Sequence, residues 1–318
     1  MRKALITGIS GFAGSFLAEH LVSKDVAEVS GIYNNEASIS NLENIRNKID
    51  LVKLDLLDER ETEETIGNIK PDFIFHLAAL TSPKDSFDAP FETLQNNIRA
   101  QLNILETVRK LDLDAKVLVV SSAEVYGLVE EEDLPIDEKT GLMPTSPYAV
   151  SKITQDFLGL QYYLSYNLKI IRVRPFNHIG PRQIDKFVIG AFAKKIAEIE
   201  KGKREPILPV GNLESKRDFT DVRDMVRAYV LALEKGKEGE VYNLGSGKSY
   251  VISELLKKLL SMSSAKIDIE VDNSLLRPSD NPELLCDPSK FVKLTGWNPG
   301  IPIKKTLEDT LDYWRNII

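Results

Sequence analysis

The feature that most constrains this chain is a strand, a glycine turn and a helix in immediate succession. Lys3–Thr7 is a short apolar run of the kind buried in a parallel sheet, and Gly8-Ile9-Ser10-Gly11-Phe12-Ala13-Gly14 follows it without a gap. Phe12, Phe16, Leu17, Leu21 and Val22 then recur at helical spacing. Glycines let the backbone turn sharply and bring its N–H groups close to a pyrophosphate, while the helix N-terminus adds partial positive charge. This context predicts a dinucleotide site over Gly8, Gly11, Phe12, Ala13 and Gly14.

The alternation continues through Arg174. Val26–Tyr33 and Leu51–Leu54 read as strands, Glu59–Ile69 as a helix and Phe73–Ala79 as another buried strand. A long helix, Phe87–Leu111, is predicted with Phe87, Phe91, Leu94, Ile98, Leu102, Leu105 and Val108 on one face. Val117–Ser122 is a strand ending in hydroxyls, and a helix from Tyr148 leads to a strand at Leu168–Arg174. Strands alternating with helices imply an α/β fold, a Rossmann-like doubly wound parallel sheet with ligands at the C-terminal strand ends.

Past Arg174, prolines punctuate shorter elements, including a helix near Phe187–Glu200. The amphipathic helix Val222–Leu233 and the strand Glu240–Leu244 are expected to return to the main sheet. The expected division is a dinucleotide-binding domain, residues 1–175 and 222–244, and a smaller C-terminal substrate-binding lobe, residues 176–221 and 245–318.

Composition removes other classes. A chain of 318 residues, 42% hydrophobic and 28% charged, can bury a large core, and no apolar run is long enough to span a membrane. The N-terminus reaches Gly8 before any signal-peptide core could form, so a cytoplasmic protein is expected. The single Cys286 excludes an internal disulfide, and the scattered His20, His76 and His178 show no ligand spacing, so no metal is expected. A net charge of −7 argues against a nucleic-acid surface.

The chemistry centres on Ser146-Pro147-Tyr148-Ala149-Val150-Ser151-Lys152. Pro147 suits the first turn of a helix, and Tyr148 and Lys152 then share one face. A phenol beside an ammonium is a usable acid, because a neighbouring positive charge favours the phenolate and lowers its pKa. Glu124 lies two residues after Ser122, so in an extended segment both side chains point the same way.

Four motifs, taken in order, resemble those of the extended short-chain dehydrogenase/reductase family. They are the Gly8–Gly14 turn, His76-Leu77-Ala78-Ala79, Ser121-Ser122-Ala123-Glu124-Val125-Tyr126-Gly127, and Tyr148 with Lys152. Within that family the chain is similar to enzymes of GDP-mannose-derived sugars, the GDP-4-keto-6-deoxy-mannose reductases above all. Arg174-Pro175-Phe176-Asn177-His178-Ile179-Gly180-Pro181, Gly211–Phe219 and Arg277-Pro278-Ser279-Asp280 carry this narrower likeness.

The resemblance implies that Tyr148 transfers a proton, Lys152 holds the nicotinamide ribose and Ser122 binds the reacting sugar oxygen. It implies adenine contacts at Asp55 and Leu56, and a backbone facing the cofactor at Leu77, Ala78 and Ala79. Arg217 and Arg277 would clamp a diphosphate, Asn177 a phosphate and Asp280 a ribose. Thr81 and Ser82 would touch the hexose, and Val188, beside Phe187, would line the base pocket. His76 is expected to be a packed strand residue. The helix Phe87–Leu111 and the Tyr148 helix resemble the pair that forms a homodimer interface.

The implied reaction reduces the 4-keto group of GDP-4-keto-6-deoxy-D-mannose to a GDP-6-deoxyhexose such as GDP-D-rhamnose. GDP-mannose 4,6-dehydratase and nucleotide-sugar 4-epimerase activities stay open, since in related dehydratases a glutamate at the place of Glu124 acts as base. A dinucleotide sensor without turnover would typically lack the Tyr/Lys pair. The second strand ends in Tyr33-Asn34-Asn35, with neither an acid for a ribose 2′-hydroxyl nor an arginine for a 2′-phosphate. The missing acid favours NADP(H) over NAD(H), with both open.

Overall fold

The structure is a computed structural model that describes residues 1–276 and 281–318. The strands up to the change of rhythm are β1 (Lys3–Thr7), β2 (Glu28–Tyr33), β3 (Ile49–Lys53), β4 (Phe73–His76), β5 (Lys116–Val120) and β6 (Lys169–Pro175). Then come β7 (Asn177–Ile179), β8 (Ile207–Val210), β9 (Lys216–Asp221), β10 (Val241–Leu244), β11 (Ser249–Val251), β12 (Asp268–Val271) and β13 (Glu283–Leu284). The helices of the first half are α1 (Phe12–Ser23), α2 (Glu59–Ile69), α3 (Pro83–Asp88), α4 (Pro90–Lys110) and α5 (Pro147–Tyr166). Those of the second are α6 (Val188–Glu200), α7 (Val222–Lys235), α8 (Ile252–Ser261), α9 (Ser289–Thr295) and α10 (Ile303–Ile317).

Among the described residues, seven strands pair in parallel in the order β10-β6-β5-β4-β1-β2-β3. The doubly wound sheet expected from the alternation is therefore present. Its strands alternate two buried faces. Ile6 and Phe75 pack with Leu17, Leu21, Met225 and Tyr229 of α1 and α7, while Leu5 and Ile74 pack with Ile104, Val108 and Tyr162 of α4 and α5. The strand order reverses between β1 and β4, so the crevice at their C-terminal ends is where such a sheet takes a ligand. A separate core of Ile189, Phe192, Leu255, Leu311 and Trp314 joins α6, α8 and α10.

Three expectations need correcting. The helix predicted over Phe87–Leu111 is divided, because α3 ends at Asp88 and Pro90 opens α4. Proline offers no N–H to continue a helix and forces the preceding Ala89 out of the helical region, to φ −133° and ψ 61°. Its predicted apolar face is also not the buried one at that end. Phe91 is 77% exposed, whereas Thr93, Asn97 and Gln101 are buried, the last two hydrogen-bonded to Ser151 and Gln155 of α5. Strands β4 and β5 stop at His76 and Val120, short of the predicted Ala79 and Ser122, since the chain there leaves the sheet to build the crevice.

Candidate active site

The glycine turn is packed to backbone contact. Gly8 has φ 69°, and a Cβ there would lie 3.0 Å from the Ala78 backbone. A Cβ on Gly14 would lie 2.2 Å from the Gly8 carbonyl oxygen. Helix α1 starts at Phe12 with Gly11 as its cap, without a side-chain hydrogen bond and without an acid in its first turn. By contrast Asp58, Ser146 and Asp221 cap α2, α5 and α7 with their side chains. The uncapped donors of α1 fit a pyrophosphate, which supplies the negative charge and acceptors that its own sequence withholds. Gly14→Ala must push α1 off the turn. We expect roughly tenfold weaker NADPH binding in a fluorescence titration, the effect of about 1.4 kcal/mol of overpacking; unchanged affinity would refute the fit.

Helix α5 begins as its residues dictate, with Ser146 Oγ accepting from Ala149 N at 3.1 Å and Pro147 in the first turn. Tyr148 and Lys152 are buried side by side, the Lys152 Nζ 6.0 Å from the centre of the Tyr148 ring and donating to the Val120 carbonyl at 2.9 Å. Burial lowers Lys152 to about 7. The phenol departs from the expected lowering. Burial pushes Tyr148 up, a Ser122 hydrogen bond opposes this, and the nearby Glu124 carboxylate adds to it. Losing water decides the direction, and burial also weakens the hold of Lys152 on its own proton, so the phenol stays protonated through the neutral range.

Lys152 makes a pH prediction. Its proton-binding falls from the ordinary 10.5 of an open chain to about 7 in the fold, so unfolding takes up a proton between these values. The cost of burying it is full below that range and is relieved as pH rises towards the unfolded value. Lys152→Met is therefore expected to be more stable than wild type at pH about 6, on the order of a few kcal/mol, with the gap closing towards pH about 10. Urea unfolding across that range checks it, and a gap that ignores pH would count against it.

Ser122 and Glu124 do not share a face through strand alternation. Ala123–Val125 forms a single 3-10 turn, with Ser122 Oγ accepting from Glu124 N at 3.2 Å. Serine is a helix-capping residue, so its hydroxyl bends the chain where an extended segment was expected. Both residues nonetheless lie close enough to Tyr148 to act on its phenol.

A buried polar layer, missed in the sequence, supports this group. Gln155 Nε2 donates to His76 Nε2 at 3.3 Å and to the Asn97 carbonyl at 2.9 Å. That leaves His76 Nδ1–H to donate to Thr7 Oγ1 at 2.9 Å, and burial holds the ring neutral, its pKa lowered to about 3. Asn97 Nδ2 donates to Ser151 Oγ at 2.9 Å, Ser151 Oγ to the Tyr148 carbonyl at 2.7 Å, and Tyr148 N to Ser86 Oγ at 3.1 Å. Asp156 extends the Tyr148–Lys152 stripe by one more turn. It accepts from Arg172 NH1 at 2.5 Å and Arg174 Nε at 2.7 Å, and Arg174 NH1 donates to the Tyr126 hydroxyl at 3.0 Å. The visible signal was spacing, Thr93, Asn97 and Gln101 on α4 and Asp156 on α5, all at intervals of four.

Of the other predicted residues, Asn34, Asp55, Leu56 and Leu77–Ala79 follow the ends of β2, β3 and β4. Asn34 is exposed just past β2. Asp55 Oδ1 accepts from Leu57 N at 3.0 Å, and the Leu56 side chain enters the core while its carbonyl accepts from Asn103. Leu77, Ala78 and Ala79 are half-buried past β4, Thr81 is exposed, and Ser82 Oγ caps α3 by accepting from Asp85 N. Asn177 lies in β7 and Val188 begins α6. Arg217 NH1 donates to the Lys216 and Asn281 carbonyls, both at 2.8 Å. Arg277 and Asp280 lie outside the described residues. Among the described residues no group of three or more His, Cys, Asp or Glu could hold a metal, and no helix is long and apolar enough to cross a membrane.

The family model described as GDP-mannose 4,6 dehydratase matches residues 5–310. The chain belongs to this family. It is 33% identical to a GDP-6-deoxy-D-mannose reductase of Pseudomonas aeruginosa, over 99% of this chain and 98% of that protein. Among solved structures, that of RMD from Pseudomonas aeruginosa complexed with NADPH is similar over all of both chains, with 32% identity and a TM-score of 0.85. A UDP-glucose 4-epimerase of Thermus thermophilus in complex with NAD is similar over 99% of this chain and all of that one, with 28% identity and a TM-score of 0.88. The short-chain dehydrogenase/reductase resemblance and the α/β architecture are thus borne out, and NAD(P)-dependent nucleotide-sugar chemistry is what the relatives of the family share.

Proposed function

We propose that this protein is a cytoplasmic nucleotide-sugar reductase that converts the 4-keto group of GDP-4-keto-6-deoxy-D-mannose to an alcohol, giving a GDP-6-deoxyhexose such as GDP-D-rhamnose. The observation that carries this reading is the end-to-end similarity to a GDP-6-deoxy-D-mannose reductase, at 33% identity. When bound, the reduced nicotinamide supplies the hydride. The Gly8–Gly14 turn holds its pyrophosphate, Asp55 and Leu56 flank the adenine, Leu77–Ala79 line the dinucleotide, and Asn34 stands at the ribose end, where the lack of an acid favours NADP(H).

Tyr148, held protonated by burial, gives its proton to the C4 oxygen, and Ser122 holds that oxygen by a hydrogen bond. Lys152 binds ribose hydroxyls and stabilises the phenolate left behind. Thr81 and Ser82 face the hexose, Asn177 and Arg217 hold the diphosphate together with Arg277, Asp280 meets the ribose, and Val188 lines the base site. Residues 176–221 and 245–318 act as the nucleotide-sugar lobe. The exposed Phe91 of α4 and Val150, Phe157 and Leu164 of α5 form the homodimer face. A monomer mass by light scattering at micromolar protein would count against the dimer.

A second reading, the GDP-mannose 4,6-dehydratase, is favoured by Glu124, whose charge reaches the Tyr148 phenol. Purified protein is given NADPH with GDP-4-keto-6-deoxy-D-mannose, and separately GDP-mannose with a catalytic amount of NADP+. Stoichiometric loss of NADPH absorbance supports the reductase. Conversion of GDP-mannose to the keto sugar without net cofactor use would replace it by the dehydratase. Glu124→Gln separates the two further. Reduction should fall less than about tenfold, whereas dehydration, which needs the base, should fall by about 100-fold or more.

A further inference from the structure

The segment that follows Asn177 grips one face of α1. The His178 ring lies parallel to that of Phe12, with centroids 5.7 Å apart and planes 6° from coincident. Arg182 donates to Ser15 Oγ at 3.1 Å and to Glu19 Oε1 at 2.6 Å, and its guanidinium sits 4.5 Å above the centre of the Phe16 ring. Phe12, Ser15, Phe16 and Glu19 fall at i, i+3, i+4 and i+7, which is a single stripe of the helix. The grip therefore covers the first two turns of the helix whose uncapped N-terminus fits a pyrophosphate.

Two further observations give the grip a purpose beyond packing. Arg182 reaches α1 from a left-handed backbone, φ 69°, an uncommon conformation for a non-glycine residue, which turns the chain after Pro181 back onto the helix. The gripping strand β7 is in turn registered to β9, with Asn177 opposite Phe219, His178 opposite Thr220 and Ile179 opposite Asp221. Strand β9 carries Arg217. The α1 N-terminus, Asn177 and Arg217 thus form one mechanical unit, with Arg182 and His178 at the joint between its halves.

We propose that Arg182 and His178 are positioning residues that hold the nucleotide-sugar lobe in register with the cofactor turn, so that dinucleotide and GDP moiety bind with positive coupling. This rests on the two sites assigned under the proposed function. A ligand that orders α1 fixes β7 at the same time, and the second ligand then meets a lobe already in place; by linkage the effect is reciprocal.

Calorimetric titration of the full chain tests it, with NADPH and GDP as probes, each alone and each in the presence of the other. In wild type, saturating NADPH should tighten GDP about tenfold. Arg182→Met should bring that factor close to one while NADPH affinity alone changes less than about threefold. Arg182→Lys, which keeps a charge for Glu19, should restore part of the coupling, an outcome that simple loss of fold would not give. Should Arg182→Met fail to fold, His178→Leu carries the same expectation, because Leu fills the space against Phe12 without stacking. Equal GDP affinity with and without NADPH in wild type, or wild-type coupling in a folded variant, overturns the inference. Failure of the wild type to bind NADPH or GDP at all would overturn the functional reading itself, and the inference with it.

Discussion

Tyr148→Phe is expected to lower kcat by about 1,000-fold while NADPH affinity changes less than about threefold. The substitution removes one oxygen and leaves a ring of the same shape in a buried slot. Lys152 keeps its hydrogen bond to the Val120 carbonyl, and the α5 cap from Ser146 does not involve the phenol. The proposed cofactor surroundings therefore survive, and only the proposed proton donor is lost. The size of the loss follows from the electrostatics. Burial and the Glu124 charge keep the phenol protonated at neutral pH, so it arrives loaded, and Lys152 in its protonated form would stabilise the phenolate left behind. Steady-state rates with fluorescence titration separate the two quantities. Turnover above about a tenth of wild type would remove Tyr148 from the proposed role, since a general acid contributes about 100-fold or more.

What was readable in the sequence was what local chemistry decides. The glycine turn lies between an apolar strand and a helix, and Pro147 behind Ser146 opens α5, so spacing alone put Tyr148 and Lys152 on one face. The division at Pro90 was also a local matter, yet the apolar stripe running across it masked the proline's effect on Ala89. The Ser122–Glu124 turn was hidden because serine serves a strand end and a cap equally well. The direction of the Tyr148 shift depends on burial, which no spacing reports. Nor does spacing report that Asn97 and Gln101 find partners on another helix. Polar residues at intervals of four read as a solvated face until α5 is packed on them.

Asp156 is the sharpest case, and it carries the second large effect. It sits at zero exposure on the helix of Tyr148 and Lys152 and neutralises two guanidiniums that are themselves nearly buried, with side-chain exposures of 7% and 5%. Asp156→Ala leaves both cations without a carboxylate in a place water hardly reaches, and breaking a buried pair in this way costs about 3–5 kcal/mol. A fall in Tm of roughly 5–7 °C is expected. Arg172→Met adds a diagnostic contrast, because it removes one of two cations from an arrangement that holds one positive charge in excess. It should cost distinctly less, and in the Asp156→Ala background it should relieve part of the damage. A double-mutant cycle by urea unfolding measures the coupling, and additive losses would show that the three residues do not act together. The arrangement also bears on catalysis, since Arg174 passes from Asp156 to the Tyr126 hydroxyl, which donates to Asn243 Oδ1 at 2.7 Å two residues beyond Glu124. The helix that carries Tyr148 and the turn that carries Ser122 are thereby tied to one buried charge. Asp156→Ala should accordingly lower kcat even at temperatures where the variant is fully folded, whereas a purely structural pair would lower only Tm.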